Sequence, residues 1–218
     1  MILMNNFKAE PPELRKAMLQ AASRVLESGW YVLGNEVKHF EEQWSRVCGV
    51  SHGIGVGNGM DAIEMALLGL SIGAGDEVIT TPMTAFATIL AIIRCGAKPV
   101  LADIDSETAL LSAESAKRCL STKTKAVILV HLYGQVRQMD EWVIFCEENN
   151  IMLIEDCAQA HQATWHGKVA GCFGQAGAYS FYPTKNLGAV GDAGMLVTGN
   201  SALAKRTRQL RNYGQSER

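Results

Sequence analysis

Apolar residues recur along this chain with two different periods. Leu14, Met18, Leu19, Ala22, Val25 and Leu26 follow Pro11-Pro12 at close to helical spacing, and Gly29 ends the run, which predicts a first helix. Residues 36–48 repeat the pattern, with Val37, Phe40, Trp44 and Val47 on one stripe. Beyond that point helix-length segments alternate with short apolar runs. Helices are predicted at 60–70, 85–95, 112–120 and 139–149, and strands at 77–81, 98–102, 126–131, 151–155, 176–181 and 195–198. A basic segment over 202–211, with Lys205, Arg206, Arg208 and Arg211, reads as a last helix.

Strand–helix alternation with strands apolar on both faces points to an α/β fold, a mainly parallel sheet between helices. Composition agrees: of 218 residues 48% are hydrophobic and 19% charged, enough to bury a core. A net charge of −2 gives no global positive field for nucleic acid or an anionic membrane. No apolar run reaches the ~20 residues of a membrane span, and the start lacks a basic segment followed by an apolar core. A cytoplasmic protein is expected. The six cysteines contain no CxxC pair, as for reduced thiols in a core. His161 and His166 are suggestively spaced but have no nearby third ligand, so no metal is expected.

Three stretches can carry chemistry. In the first, Gly53-x-Gly55-x-Gly57-Asn58-Gly59-Met60-Asp61-Ala62, the start of a helix offers the backbone N–H groups of Gly59, Met60 and Asp61 to a phosphate. The run from Gly57 also fits a dinucleotide fingerprint. However, the acidic residue at the required distance, Glu77, precedes its strand rather than ending it. In the second, an apolar strand ends in Glu155-Asp156, where such a fold gathers its site. A carboxylate there can hold a cationic ring nitrogen, and Gln159, a turn later, can reach a phenolic oxygen. The third runs from Ser180 to Gly188: a hydrophobic strand, then Pro183, then Lys185 closed in by glycines. A confined lysine has the lowered pKa of a Schiff-base nucleophile, and Ser180 offers a hydroxyl to a phosphate. Phosphate cradle, ring-nitrogen carboxylate and lysine, in that order, are what pyridoxal phosphate chemistry requires.

Six ordered stretches resemble the DegT/DnrJ/EryC1/StrS aminotransferases: Gly57-Asn-Gly-Met-Asp-Ala, Gly73-Ala-Gly-Asp-Glu-Val-Ile, His131-Leu-Tyr-Gly, Glu155-Asp-Cys-Ala-Gln-Ala-His, Ser180-Phe-Tyr-Pro-Thr-Lys-Asn-Leu-Gly and Arg211-Asn-Tyr-Gly-Gln. The resemblance implies the large domain of a fold-type-I transferase dependent on pyridoxal 5′-phosphate, with an N-terminal helical arm over 1–33, the cofactor-binding domain over 34–218 and the C-terminal small domain absent. It implies Lys185 as the aldimine lysine and proton shuttle and Asp156 on the pyridine nitrogen. Gln159 would lie near the 3-hydroxyl, Ser180 with the Met60 and Asp61 amides at the phosphate, and Phe86 against the ring, with Asn186, next to the lysine in the same motif, also among the cofactor-binding residues. The presence of lysine disfavours the related sugar dehydratases, which carry histidine there. Met60 replaces a small hydroxyl residue common in the family, and Cys157 an alanine. The expected reaction is amination of a nucleotide-linked keto sugar, with glutamate as amino donor, by a homodimer. The alternatives are a chain that at most binds the cofactor and, from the glycine run, a nicotinamide-dependent sugar oxidoreductase.

Overall fold

The structure, a computed structural model, describes residues 5–216; residues 1–4 of the expected arm and 217–218 of the expected domain lie outside the described residues. The elements in chain order are α1 (Pro12–Ser28), α2 (Asn35–Cys48), β1 (His52–Val56), α3 (Gly59–Gly69), β2 (Glu77–Thr80), α4 (Phe86–Arg94), β3 (Lys98–Leu101), α5 (Ala113–Arg118), β4 (Thr124–Val130), α6 (Met139–Glu148), β5 (Met152–Asp156), β6 (Thr164–Trp165), β7 (Lys168–Val169), β8 (Ala176–Ser180), β9 (Gly194–Thr198) and α7 (Ser201–Leu210). Seven strands form one sheet in the order β1-β9-β8-β5-β4-β2-β3. All its pairings are parallel except those of β9 with β1 and with β8. Because β9 reverses between them, β1 and β8 run the same way. The carboxyl ends of β1, β8, β5 and β4 therefore meet along one edge of the sheet, the place where such folds bind ligands.

The strict alternation of strand side chains sorts the core into two layers. On β4, Val127 and Leu129 join one apolar cluster with Trp44, Cys48, Met139 and Trp142, while Ala126 and Ile128 join the other with Ala66, Leu67 and Ile92. Likewise on β5, Leu153 belongs to the first cluster and Ile154 to the second. Glu155 must then face the first layer and Asp156 the second. The hydrogen bonds agree, since Asp156 meets Thr88 of α4 and Glu155 meets the loop after β7.

Glu155 is wholly buried and fully employed. Its carboxylate accepts from His131 Nε2 at 2.9 Å and from the backbone N–H groups of Gly171 at 2.7 Å, Phe173 at 2.7 Å and Gly174 at 2.9 Å. A charge in a low-dielectric interior survives only when its oxygens are filled in this way. His131, Glu155 and Cys157 form a trio of metal-ligand types, but the Glu155 oxygens already hold protein donors. Burial and the neighbouring Glu155 push the Cys157 thiol well above its ordinary range.

Two elements escaped the hydrophobic pattern. β1, His-Gly-Ile-Gly-Val, is glycine-rich because α2 lies directly on it: a Cβ on Gly53 would stand 2.8 Å from the Glu41 carbonyl oxygen. Glu41 Oε1 accepts the Gly55 N–H at 2.8 Å and pairs with Arg211 Nη1, which also donates to Gly55 O at 2.9 Å. Arg211 thus ties the end of α7 to α2 and to this edge strand. The hairpin β6–β7 turns through His166-Gly167, both at positive φ. The turn leaves His166 exposed, while His161 packs against Phe181. α1, by contrast, buries none of its residues, and Leu19, Leu26, Tyr31 and Val32 each stand more than 60% exposed.

Replacing Glu155 with alanine strands one imidazole and three backbone N–H groups in the core. Glu155→Ala is expected to cost about 3–5 kcal/mol of unfolding free energy, measured by urea denaturation; a loss below about 1 kcal/mol contradicts this account of the buried carboxylate.

Candidate cofactor site

At the meeting point of the strand ends lies a cavity of about 360 Å³, whose wall includes Asn58, Gly59, Met60, Asp156, Ser180 and Lys185. A smaller recess continues from it past Gln159, and Asp156 and Lys185 line both. Residues far apart in sequence reach this space because β1, β5 and β8 each deliver one loop to it.

One wall is the start of α3. Asn58 caps the helix, its Oδ1 accepting the Asp61 N–H at 2.9 Å. This differs from the sequence expectation, which gave the Asp61 amide to a phosphate. The short polar side chain at the N-cap takes that donor first, as its residue type favours. Among the described residues no protein acceptor takes the N–H of Gly59 or Met60, so two amides remain, with the positive end of the helix dipole behind them. The Met60 side chain packs against the apolar layer below. The helix start is pressed against the sheet: a Cβ on Gly59 would lie 2.7 Å from the Ser180 Cβ, and one on Gly194 would lie 2.2 Å from Asn58 O. Ser180 therefore sits beside the two free amides. Its Oγ accepts the Tyr182 N–H at 3.3 Å, and its own O–H remains a donor.

Asp156, 6% exposed, ends β5. Its Oδ2 accepts from Thr88 Oγ1 at 2.8 Å and its Oδ1 from the Ala158 N–H at 3.1 Å, and Thr88 is bonded in turn to Thr84 at 2.8 Å. The carboxylate is oriented from both sides while still lining the cavity. Gln159 uses Oε1 to accept the Tyr133 N–H at 2.8 Å, which leaves its NH₂ to donate. Lys185 lies in the tight loop between β8 and β9, its N–H bonded to Tyr182 O at 2.8 Å. In that loop Gly188 packs so closely that a Cβ would stand 2.4 Å from Pro183 O.

Phe86 opens α4 between two cavity-lining alanines, Ala85 and Ala87, with its ring 67% exposed. Asn186 is exposed and lines neither recess. The sequence reading missed Asn58 and Thr88. Asn58 carried a signal, as a cap-type residue ahead of an apolar helix. Thr88 carried none, because only the packing of α4 over β5 brings it to Asp156.

The dinucleotide reading does not survive the topology. β1 is an edge strand paired antiparallel with β9, not one of two adjacent parallel strands, and Glu77 is spent on Lys98 and Ser121.

The profile of the DegT/DnrJ/EryC1/StrS aminotransferase family matches residues 12–218. The chain belongs to this family. Among its relatives, the dTDP-3-amino-3,4,6-trideoxy-alpha-D-glucose transaminase of Streptomyces venezuelae is 41% identical over 213 residues, 98% of this chain and 56% of that protein. The crystal structure of S. venezuelae DesV in complex with a ketimine intermediate superimposes with a TM-score of 0.94 at 41% identity, over 97% of this chain and 57% of that one. The Bacillus subtilis NtdA structure with bound cofactor PMP gives 0.86 at 30% identity, over 91% of this chain and 45% of that one. The chain spans about half the length of the curated relatives it matches. The family's cofactor, pyridoxal 5′-phosphate, fits what the residues offer: two free amides and a hydroxyl for a phosphate, a carboxylate for a ring nitrogen and an amine within the same cavity.

Gly59→Ala pushes a methyl into Ser180 and displaces the helix start. It is expected to weaken pyridoxal phosphate binding at least tenfold, about 1.4 kcal/mol, by equilibrium dialysis. Thr88→Val is isosteric and leaves the phosphate end intact, so its expected loss is smaller, about 3- to 10-fold. Equal affinity in wild type and Gly59→Ala contradicts the proposed cradle.

Proposed function

We propose that this chain forms the cofactor-binding part of an aminotransferase acting on a nucleotide-linked keto sugar. The convergence of Lys185, Asp156, Ser180 and the start of α3 on one cavity carries that reading. Names of the relatives support the substrate class. We propose glutamate as amino donor, and a second copy of the chain as the partner covering the exposed arm and the exposed side chains of Phe86, Tyr182 and Val190.

Pyridoxal phosphate, when bound, supplies an electron sink that makes the α-proton of an amino acid acidic. The chain's own residues do the rest. The Gly59 and Met60 amides and the Ser180 hydroxyl would hold the phosphate, neutralised in part by the α3 dipole. Asp156 would keep the ring nitrogen protonated through a charge-assisted hydrogen bond; the Thr88 and Ala158 donors aim it. Gln159 would donate its NH₂ to the phenolic oxygen, and Phe86 would stack on the ring. Lys185 would anchor the cofactor through its amine, yield its place to the donor amino acid, and then act as the base that removes the α-proton and returns it at the ring-side carbon.

The test is formation of pyridoxamine phosphate and 2-oxoglutarate from pyridoxal phosphate and L-glutamate, followed by mass spectrometry. Lys185→Ala is expected to abolish it, and Asp156→Asn to slow it about 10- to 100-fold. Undiminished conversion by Lys185→Ala overturns the assignment.

A further inference from the structure

In the turn after β4, Tyr133 is bent into the left-handed region, with φ 56° and ψ 21°. A residue with a Cβ adopts that conformation at a cost, and a bulky one is out of place there. The phenol does not account for it, because Tyr133 is 71% exposed and lines neither recess of the site. The backbone does. The bend turns the Tyr133 N–H to Gln159, whose Oε1 accepts it at 2.8 Å across 26 positions of sequence.

The surroundings hold this turn in place. At its base His131 gives its N–H to Asp156 O at 3.0 Å and its ring to Glu155. Beyond it, Gln135 donates from Nε2 to Thr108 O at 3.1 Å. Between these anchors Gly134 closes the turn by donating its N–H to His131 O at 3.1 Å. Gly134 is itself at φ 80°, and a Cβ there would stand 3.2 Å from Gln159 O. Local strain persists only where the neighbours over-determine it. Here both ends of the turn are pinned and its crest lies against Gln159.

Gln159 has a side-chain amide with two unlike ends, and it lines the recess together with Asp156 and Lys185. A backbone N–H can only donate, so only Oε1 can meet it, and the NH₂ is left for the recess. An amide free to rotate could present its oxygen there instead, and that oxygen would repel the electron-rich phenolic oxygen of the proposed cofactor. We propose that Tyr133 is a positioning residue for Gln159, acting through its backbone: the strained turn holds the N–H on Oε1 and so keeps the NH₂ toward the recess as a donor.

The proposal rests on the cofactor reading of the site, but its first test needs no cofactor. Hydrogen exchange of the chain alone, followed by NMR, is expected to show a slow Tyr133 N–H despite the exposure of that residue. Exchange should quicken at least about tenfold in Gln159→Ala and stay slow in Gln159→Glu, whose carboxylate still accepts. An exchange rate unchanged in Gln159→Ala overturns the link. The second test is pyridoxal phosphate affinity by equilibrium dialysis. Tyr133→Gly and Tyr133→Asn, which take the left-handed conformation readily, are expected to bind like wild type. Tyr133→Ile, β-branched and unable to hold the bend, is expected to bind about 3- to 10-fold more weakly. In a Gln159→Ala background the same change should cost nothing further. Equal affinity in wild type and Tyr133→Ile contradicts the positioning role, and so does a loss in Tyr133→Gly as large as that in Tyr133→Ile, which would give the role to the phenol. If the Ile variant does not fold, Gly134→Ala, which presses a methyl on the Gln159 backbone, is expected to show the same loss. If wild type binds no pyridoxal phosphate, the proposed function fails while the exchange test still judges the Tyr133–Gln159 link.

Discussion

Two carboxylates side by side on one buried strand would repel each other and the core if they shared a direction. The pleat of β5 prevents this by turning Glu155 and Asp156 to opposite faces of the sheet. Glu155 spends its charge on structure: with His131 and three backbone N–H groups it closes the loop after β7 onto the first core layer. Asp156 is thereby left free to line the cavity, aimed by Thr88 and Ala158. The loop held by Glu155 leads directly into β8, and β8 delivers Ser180 and then Lys185. The stability of the core and the geometry of the site thus hang on the same two residues.

Close backbone contacts place the remaining wall. Glycine at 53 lets α2 lie against β1, and glycines at 59 and 194 let the start of α3 touch the ends of β8 and β9. Any side chain at these positions would lift the phosphate end of the site away from its lysine end. Arg211 adds a constraint from the far end of the chain by holding Glu41 and Gly55 together. The glycine run that first suggests a ligand loop is therefore also a packing device, and half of it is strand.

How much of this could be read before the fold was seen varies with the kind of signal. β4 and β5 were legible because strands buried on both faces are continuously apolar; Asp156 and Ser180 drew notice because each ends such a strand, and Lys185 because it follows one. β1 was not, since its glycines answer to α2 rather than to strand propensity. The β6–β7 hairpin is too short to show alternation. Thr88 was hidden because its partner lies 68 positions away and only the docking of α4 joins them. The cap on the Asp61 amide was not legible, because the motif shows which N–H groups start a helix but not that Asn58 accepts one of them.

The apolar residues of α1 and the segment after it are exposed, and the proposed second copy of the chain would cover them. The proposed function depends on the Lys185 amine standing where it can capture pyridoxal phosphate held by α3, Ser180 and Asp156. The most direct measurement is borohydride reduction of the chain incubated with pyridoxal phosphate, followed by peptide mass mapping. The account predicts a single stable label on Lys185. A label spread over surface lysines, or none in a folded chain, would contradict it.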